Sequence, residues 1–155
     1  ANEFTSFFPK IGKTPLVDNA EFKKLLKRAA NEDLVMRNAQ DEFFDTVYYL
    51  PALQFFNGNK FTLPLSLLVI YDSYIHSGSI PTFLRNRFPE NPPVKGGDEK
   101  AWIKAYVGAR HNWLANHSKK ILQKTIYRTQ CFKNQFNNDN WLLDKPVTAN
   151  GVVVQ

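Results

Sequence analysis

A single cysteine, Cys131, stands in this chain of 155 residues, so no disulfide can close within it. As a nucleophile that thiol would need a base and an orienting group, and no spacing singles out His76, His111 or His117 for the part; a small buried hydrophobe is the expected role. Histidine is nearly as scarce. His111 and His117 lie six residues apart and do not share a helix face, so no metal site and no cofactor are expected. No apolar run is long enough to cross a bilayer, which leaves no membrane partner. Acids are the minority, 14 against 20 Lys and Arg, for a net charge of +6. The basic residues are nevertheless scattered among the acids rather than gathered into a stripe with interleaved aromatics, which argues against nucleic acid. A phosphate loop is lacking as well, since Gly96-Gly97 follows no strand and precedes no Lys-Ser/Thr pair. The chain opens on Ala1-Asn2-Glu3, with neither Met nor a signal peptide. Either a leader has been removed or the chain begins part-way through a longer product.

What is plentiful is apolar surface. Hydrophobic residues make up 43% of the chain, enough to fill one sizeable core, and thirteen Phe raise the aromatic share to 14%. The expectation is one mainly helical domain over residues 1–155 with little or no β structure. An irregular arm covers 1–17, punctuated by Pro9, Gly12 and Pro15; a helical core covers 18–136; and a polar tail covers 137–155, in which residues 152–154 suit a short edge strand.

Helix signals divide the core. Asp18-Asn19-Ala20-Glu21 has capping-box spacing and opens a short helix to about Ala30. A longer, mostly buried helix is expected from about Asp33 toward Phe56, with Ala39, Phe43, Val47 and Leu50 on one stripe, Arg37, Asp41 and Asp45 as a charged ladder, and Pro51 ending or kinking it. The run from Leu63 to His76 is hydrophobic nearly all round, the mark of a central helix, with Thr62 to cap its start and Gly78 to close its end. A short helix follows through Phe83 and Leu84. Residues 87–97 form a Pro- and Gly-rich loop, after which Asp98 caps a helix carrying the stripe Trp102, Ile103, Tyr106, Val107, Trp113 and Leu114.

Three ionisable residues break these apolar patterns: Asp72 in the central helix, Arg110 inside the Trp102 stripe, and Arg128 near Ile121, Thr125, Cys131 and Phe132. A buried charge without a partner costs several kcal/mol, so the three are expected to meet. An ion pair pinning helices together explains them, and so does a functional network.

Four segments in order resemble the chitosanases of glycoside hydrolase family 46. They are Gln40-Asp41 through Asp45 to Tyr48 and Pro51-Ala52; Ile70-Tyr71-Asp72 with His76 and Gly78; Gly96-Gly97-Asp98-Glu99 leading to Ala109-Arg110; and Arg128 leading to Asn140-Trp141-Leu142-Leu143. The resemblance covers roughly residues 20–146. It implies a lysozyme-like, mainly helical fold and an extracellular, secreted enzyme that degrades polysaccharide by hydrolysing β-1,4 links between glucosamine units with inversion. It also implies that the acid at Asp72 and the arginines at Arg110 and Arg128 form a relay to a catalytic Glu. Tyr74, His76, Asn116 and His117 are then the substrate-binding candidates, and an amino-sugar polysaccharide such as chitosan is the partner.

Two departures qualify the match. The family's catalytic Glu and its carboxylate partner come from a segment before the point where this chain begins; Glu3 does not match its surroundings, so no catalytic residue is assigned here. A missing N-terminal segment or a second chain would carry the acid, and this chain alone is expected to be inactive. The family also tends to place acids between the two arginines, whereas residues 111–127 contain none. The competing expectation is a non-catalytic glycan-binding or protein-interaction module built on the same scaffold.

Overall fold

The computed structural model describes residues 2–154. The chain falls into two compact units, one up to Asp45 and one from Thr46 onward.

The first unit begins with two 3-10 turns, Asn2–Phe4 and Phe8–Lys10, followed by helices α1 (Ala20–Glu32) and α2 (Leu34–Phe44). Asn19, one residue later than the expected cap, starts α1: its Oδ1 accepts from Phe22 N at 2.8 Å. Asp33 separates the helices by serving both. Its extended backbone ends α1, and its Oδ1 accepts from Val35 N and Met36 N to start α2. Phe22 gathers Phe7 at 5.1 Å between centroids and Phe4 at 6.2 Å edge-on, and Phe7 is the buried residue of this unit.

The long helix expected from about Asp33 toward Phe56 is present as helical backbone from Leu34 to Gly58, with one π turn inside it. After α2 the backbone widens into a π turn at Asp45–Tyr49, then resumes as α3 (Leu50–Gly58). Pro51 does not end that helix; it comes directly after the π turn, at the second residue of α3. Nor is the segment mostly buried. No residue of α2 is buried, and Phe43, Val47 and Leu50 are exposed, because the π turn breaks the 3.6-residue phase that would have kept the stripe on one face.

The second unit holds the core. Helices α4 (Pro64–Ser77) and α6 (Glu99–Ala115) bury Leu65, Val69, Ile70, Trp102, Ile103, Tyr106 and Val107 against Ala52 and Phe56 of α3 and Phe132 of α8 (Ile126–Asn137). Short helices α5 (Thr82–Arg85) and α7 (Lys120–Gln123) join them. Contacts between α4 and α6 climb together along both chains, from Thr62 with Glu99 to Ser73 with Tyr106 and Asp72 with Arg110, so the two helices run parallel.

Thr62 does not cap α4. The cap residue is Leu63, which has no side-chain acceptor to offer. The Glu99 carboxylate, 36 positions on, accepts from Leu63 N at 2.8 Å and from Thr62 N and Oγ1. Gly78 closes α4 at φ 73°, and Asp98 caps α6 through Ala101 N at 2.7 Å. In the loop before α6, Gly97 is required for space, since a Cβ there would lie 1.6 Å from the Asn91 carbonyl oxygen. The tail ends in an antiparallel hairpin, β1 (Val147–Ala149) with β2 (Val152–Val154), in which Val147 faces Val154 and Ala149 faces Val152. The fold is therefore mainly helical with one small two-stranded sheet.

Candidate functional site

The third turn of α4 brings Asp72 into the interior because Leu68 and Val69, its helical neighbours on the preceding turn, pack into the core. Arg110 enters from α6 and Arg128 from α8. Arg110 Nη1 donates to Asp72 Oδ2 at 2.6 Å, and Arg128 Nη2 donates to Asp72 Oδ1. The Arg110 side chain is 1% exposed and that of Arg128 24%. Each carboxylate oxygen thus takes one guanidinium, and the cluster carries one more positive charge than negative. Arg110 Nε and Nη2 and Arg128 Nε are buried with no partner among the described residues.

This field acts on neighbouring groups. Burial opposes the charge on Arg128, but the charge and hydrogen bond of Asp72, with help from Tyr127, more than offset it and hold the guanidinium above its usual value. His76, one turn beyond Asp72, is half-buried with Nδ1 unpartnered. Burial first, then repulsion from Arg110 and Arg128, lowers its pKa below 6.5, so it stays neutral near pH 7. Beneath the cluster the Tyr106 hydroxyl hydrogen-bonds Ser73 Oγ, which in turn donates to Ser79 O at 2.8 Å. Burial pushes the Tyr106 hydroxyl up, and it remains a neutral partner. Cys131 is buried beside the cluster, its thiol raised by desolvation and then by Asp72, which makes it a poor nucleophile.

A cavity of about 540 Å³ opens beside the pair. Leu68, Tyr71 and Ile75 of α4 form one wall, Tyr127 and Phe132 of α8 another, and the hairpin a third, with Asp72 and Arg128 at its polar end. That size suits a small molecule or a few side chains of another segment. Of the Trp102 stripe, by contrast, Trp102, Ile103, Tyr106, Val107 and Leu114 are almost fully buried and Trp113 is half-buried.

The remaining substrate-binding candidates separate. Tyr74 packs on Phe55 at 6.5 Å. Asn116 and His117 sit past the C-terminal end of α6 and take no part in the ion-pair cluster: Asn116 Nδ2 donates to Asn112 O, and His117 Nδ1 accepts from Lys119 N at 2.9 Å. Sequence pattern missed Tyr127, whose only signal was its place before Arg128, and Ser73, a small polar residue in an apolar helix whose partner lies 33 positions away. Among the described residues no group of three or more His, Cys, Asp or Glu could hold a metal ion, and no helix is long and apolar enough to cross a membrane.

The family model described as glycosyl hydrolase family 46 matches residues 4–147. A chitosanase of Bacillus subtilis (strain 168) is 27% identical over 138 residues, a match covering 81% of this chain and 50% of that protein. The chain thus spans about half the length of the curated relative it matches. Among solved structures, native chitosanase from Bacillus subtilis MY002 superposes with a TM-score of 0.78 at 20% identity, covering 98% of this chain and 72% of the other. A chitosanase from Gynuella sunshinyii in complex with chitotetraose gives 0.76 at 20% identity, over 97% and 70%. A mutant form of the MY002 enzyme was solved with 6 GlcN bound.

Proposed function

Since the chain belongs to glycosyl hydrolase family 46, we propose that it is the helical part of a secreted chitosanase-type enzyme, hydrolysing β-1,4 links between glucosamine units with inversion. The Asp72–Arg110–Arg128 network positions a catalytic acid that is not among these 155 residues. One observation carries this: three buried guanidinium nitrogens, Nε and Nη2 of Arg110 and Nε of Arg128, have no partner among the described residues. Buried donors of that kind cost free energy unless an acceptor meets them, and a carboxylate is the acceptor that also balances the cluster's excess positive charge.

Asp72 does not serve as the acid itself. Both of its oxygens are occupied by guanidinium donors, and arginine releases no proton near neutral pH. An inverting reaction needs a protonated carboxylic acid at the glycosidic oxygen and a carboxylate roughly 6.5–9.5 Å away to activate water. Asp72 and the arginines would hold the first of these in one rotamer and set its proton affinity through their charge.

The test is reducing-end release from chitosan. These 155 residues alone should release none above background, while a polypeptide extended by the carboxylate-bearing segment should be active and give the inverted anomer by NMR. The extended protein should lose most of its activity on Asp72→Asn with little change in KM. Hydrolysis by the 155 residues alone, abolished by Asp72→Asn, would make Asp72 the catalyst and end this proposal. An intact mass from the native source that matches 155 residues, with no second polypeptide bound, would favour the non-catalytic glycan-binding module instead.

A further inference from the structure

The hairpin leaves one of its two faces open. In the antiparallel register Val147 opposes Val154 and Ala149 opposes Val152, so these four side chains share a face, while Thr148 and Val153 share the other. Val147, Ala149 and Val154 line the cavity beside the ion pair, which makes the first face the one turned toward it. A face turned inward is ordinarily covered. Val152 and Val154 are nevertheless 64% and 60% exposed, and Tyr127 on the α8 wall is exposed as well. Apolar side chains therefore continue from Leu68, Ile75 and Phe132 on the helical walls out to the rim of the groove. A contiguous apolar surface of this kind marks a place that something covers.

The charge at the inner end of the groove says what that is. Asp72 and Arg128 close it, and the cluster they form with Arg110 sets two guanidinium charges against one carboxylate. Arg128 Nε and two nitrogens of the fully enclosed Arg110 have no partner among the described residues. Among the described residues lining the groove, Asp72 is the one acid. A purely apolar occupant would leave the guanidinium nitrogens unmet, and a cation would be repelled. One that brings apolar side chains together with a carboxylate satisfies the groove and the cluster at once. An acyl chain would fill the interior but leave Val152 and Tyr127 bare, whereas a polypeptide segment laid across the mouth covers both. Half of the curated relative lies outside its match to this chain, so an occupant that is itself polypeptide has a counterpart there.

We propose that the groove between α4, α8 and the hairpin is the seat of the segment that carries the catalytic acid. Apolar side chains of that segment pack on Ile75, Tyr127, Val152 and Val154, and its carboxylate reaches the unpaired guanidinium nitrogens. The acid consequently lies on the segment's apolar face, as Asp72 does on α4. This rests on the reading that the acid is outside these 155 residues, and it adds which surface receives it. The hairpin, which touches no reacting atom, becomes a positioning element.

The test uses 8-anilinonaphthalene-1-sulfonate, an apolar anion that matches the groove, with the 155-residue chain and with the polypeptide extended by the acid-bearing segment. The shorter chain should bind the dye, and Val152→Asn with Val154→Asn, at exposed positions, should keep the circular dichroism spectrum and weaken binding severalfold. Val153→Asn, on the opposite face, should change neither. In the extended polypeptide the dye should be excluded. There the Val152/Val154 pair of substitutions should readmit it and lower kcat by about tenfold with KM nearly unchanged, because the acid is displaced while the bound sugar is not. An extended polypeptide that is active yet binds dye as the short chain does overturns the docking and leaves the family reading intact. So does a Val153→Asn effect equal to that of the pair. A 155-residue chain that is dimeric and binds no dye seats a second copy in the groove and overturns it too. An extended polypeptide that hydrolyses no chitosan overturns the reading beneath the proposal, and the proposal with it.

Discussion

Asp72 decides more about this molecule than any other side chain, because two cations, the buried Arg110 and the half-buried Arg128, depend on one carboxylate. Replacing Arg110 with Met should not simply remove a favourable contact. It leaves Asp72 short of a partner in a site with little water, and the expected loss is about 3–5 kcal/mol by chemical denaturation. A midpoint unchanged by Arg110→Met would mean that the pair contributes nothing net. His76 gives a pH signature of the same field. Its pKa is lowered from 6.5 by burial and by the two arginines, so the folded state binds fewer protons than the unfolded state in the window below 6.5. The stability that His76 supplies is full above about pH 6.5 and is lost as the pH falls from there through the lowered native value. Denaturant midpoints should therefore drop on acidification, and His76→Gln should reduce the slope in that window.

At the scale of elements, helix starts show how far a local code reaches. Asn19, Asp33 and Asp98 cap from within four residues, and each sits in the sequence pattern that such a cap requires. α4 is different, since its first N–H groups are met by Glu99 from the start of α6. One carboxylate thereby ties the N-termini of the two central helices together and sits favourably at both positive ends. Glu99→Ala should lower stability by about 1–2 kcal/mol, more than removal of an exposed acid usually does, and urea unfolding measures it. Hydrogen exchange at Leu63 and Thr62 should speed up before exchange in the middle of α4 does. Gly97 belongs to the same junction. Gly97→Ala forces the backbone at Asn91 to move and should depress the thermal midpoint even though the site is on a loop.

For the molecule as a whole, burial is unequal. The core lies in the unit from Thr46 onward, while among the described residues up to Asp45 Phe7 alone is buried. Native-state hydrogen exchange should accordingly show amides of α1 and α2 exchanging on the order of 100-fold faster than those of α4 and α6. Equal protection throughout would mean that the two units open as one. The parts of this architecture legible in sequence are those written in short-range periodicity and capping: the central helix from Pro64, the Trp102 stripe, the caps at Asp98 and Gly78, the final strand, and the helical class itself. The meeting of Asp72 with Arg110 and Arg128 was legible for a different reason. Three charges in apolar patterns have few ways to avoid a prohibitive desolvation cost, so their partners can be inferred without their coordinates. Only the tertiary structure decided what depends on distant chain segments arriving at one place. Pattern alone made α2 a buried helix, but its stripe has no buried member, because periodicity defines a face and not what covers it. The clamp of Glu99 on α4, the meeting of Phe83 with Trp113, and the pairing of Arg110 and Arg128 with Asp72 span from 30 to 56 positions of sequence. Over such separations hydrogen bonds and ring contacts are set by how helices pack, and packing is a property of the assembled core rather than of any window of residues.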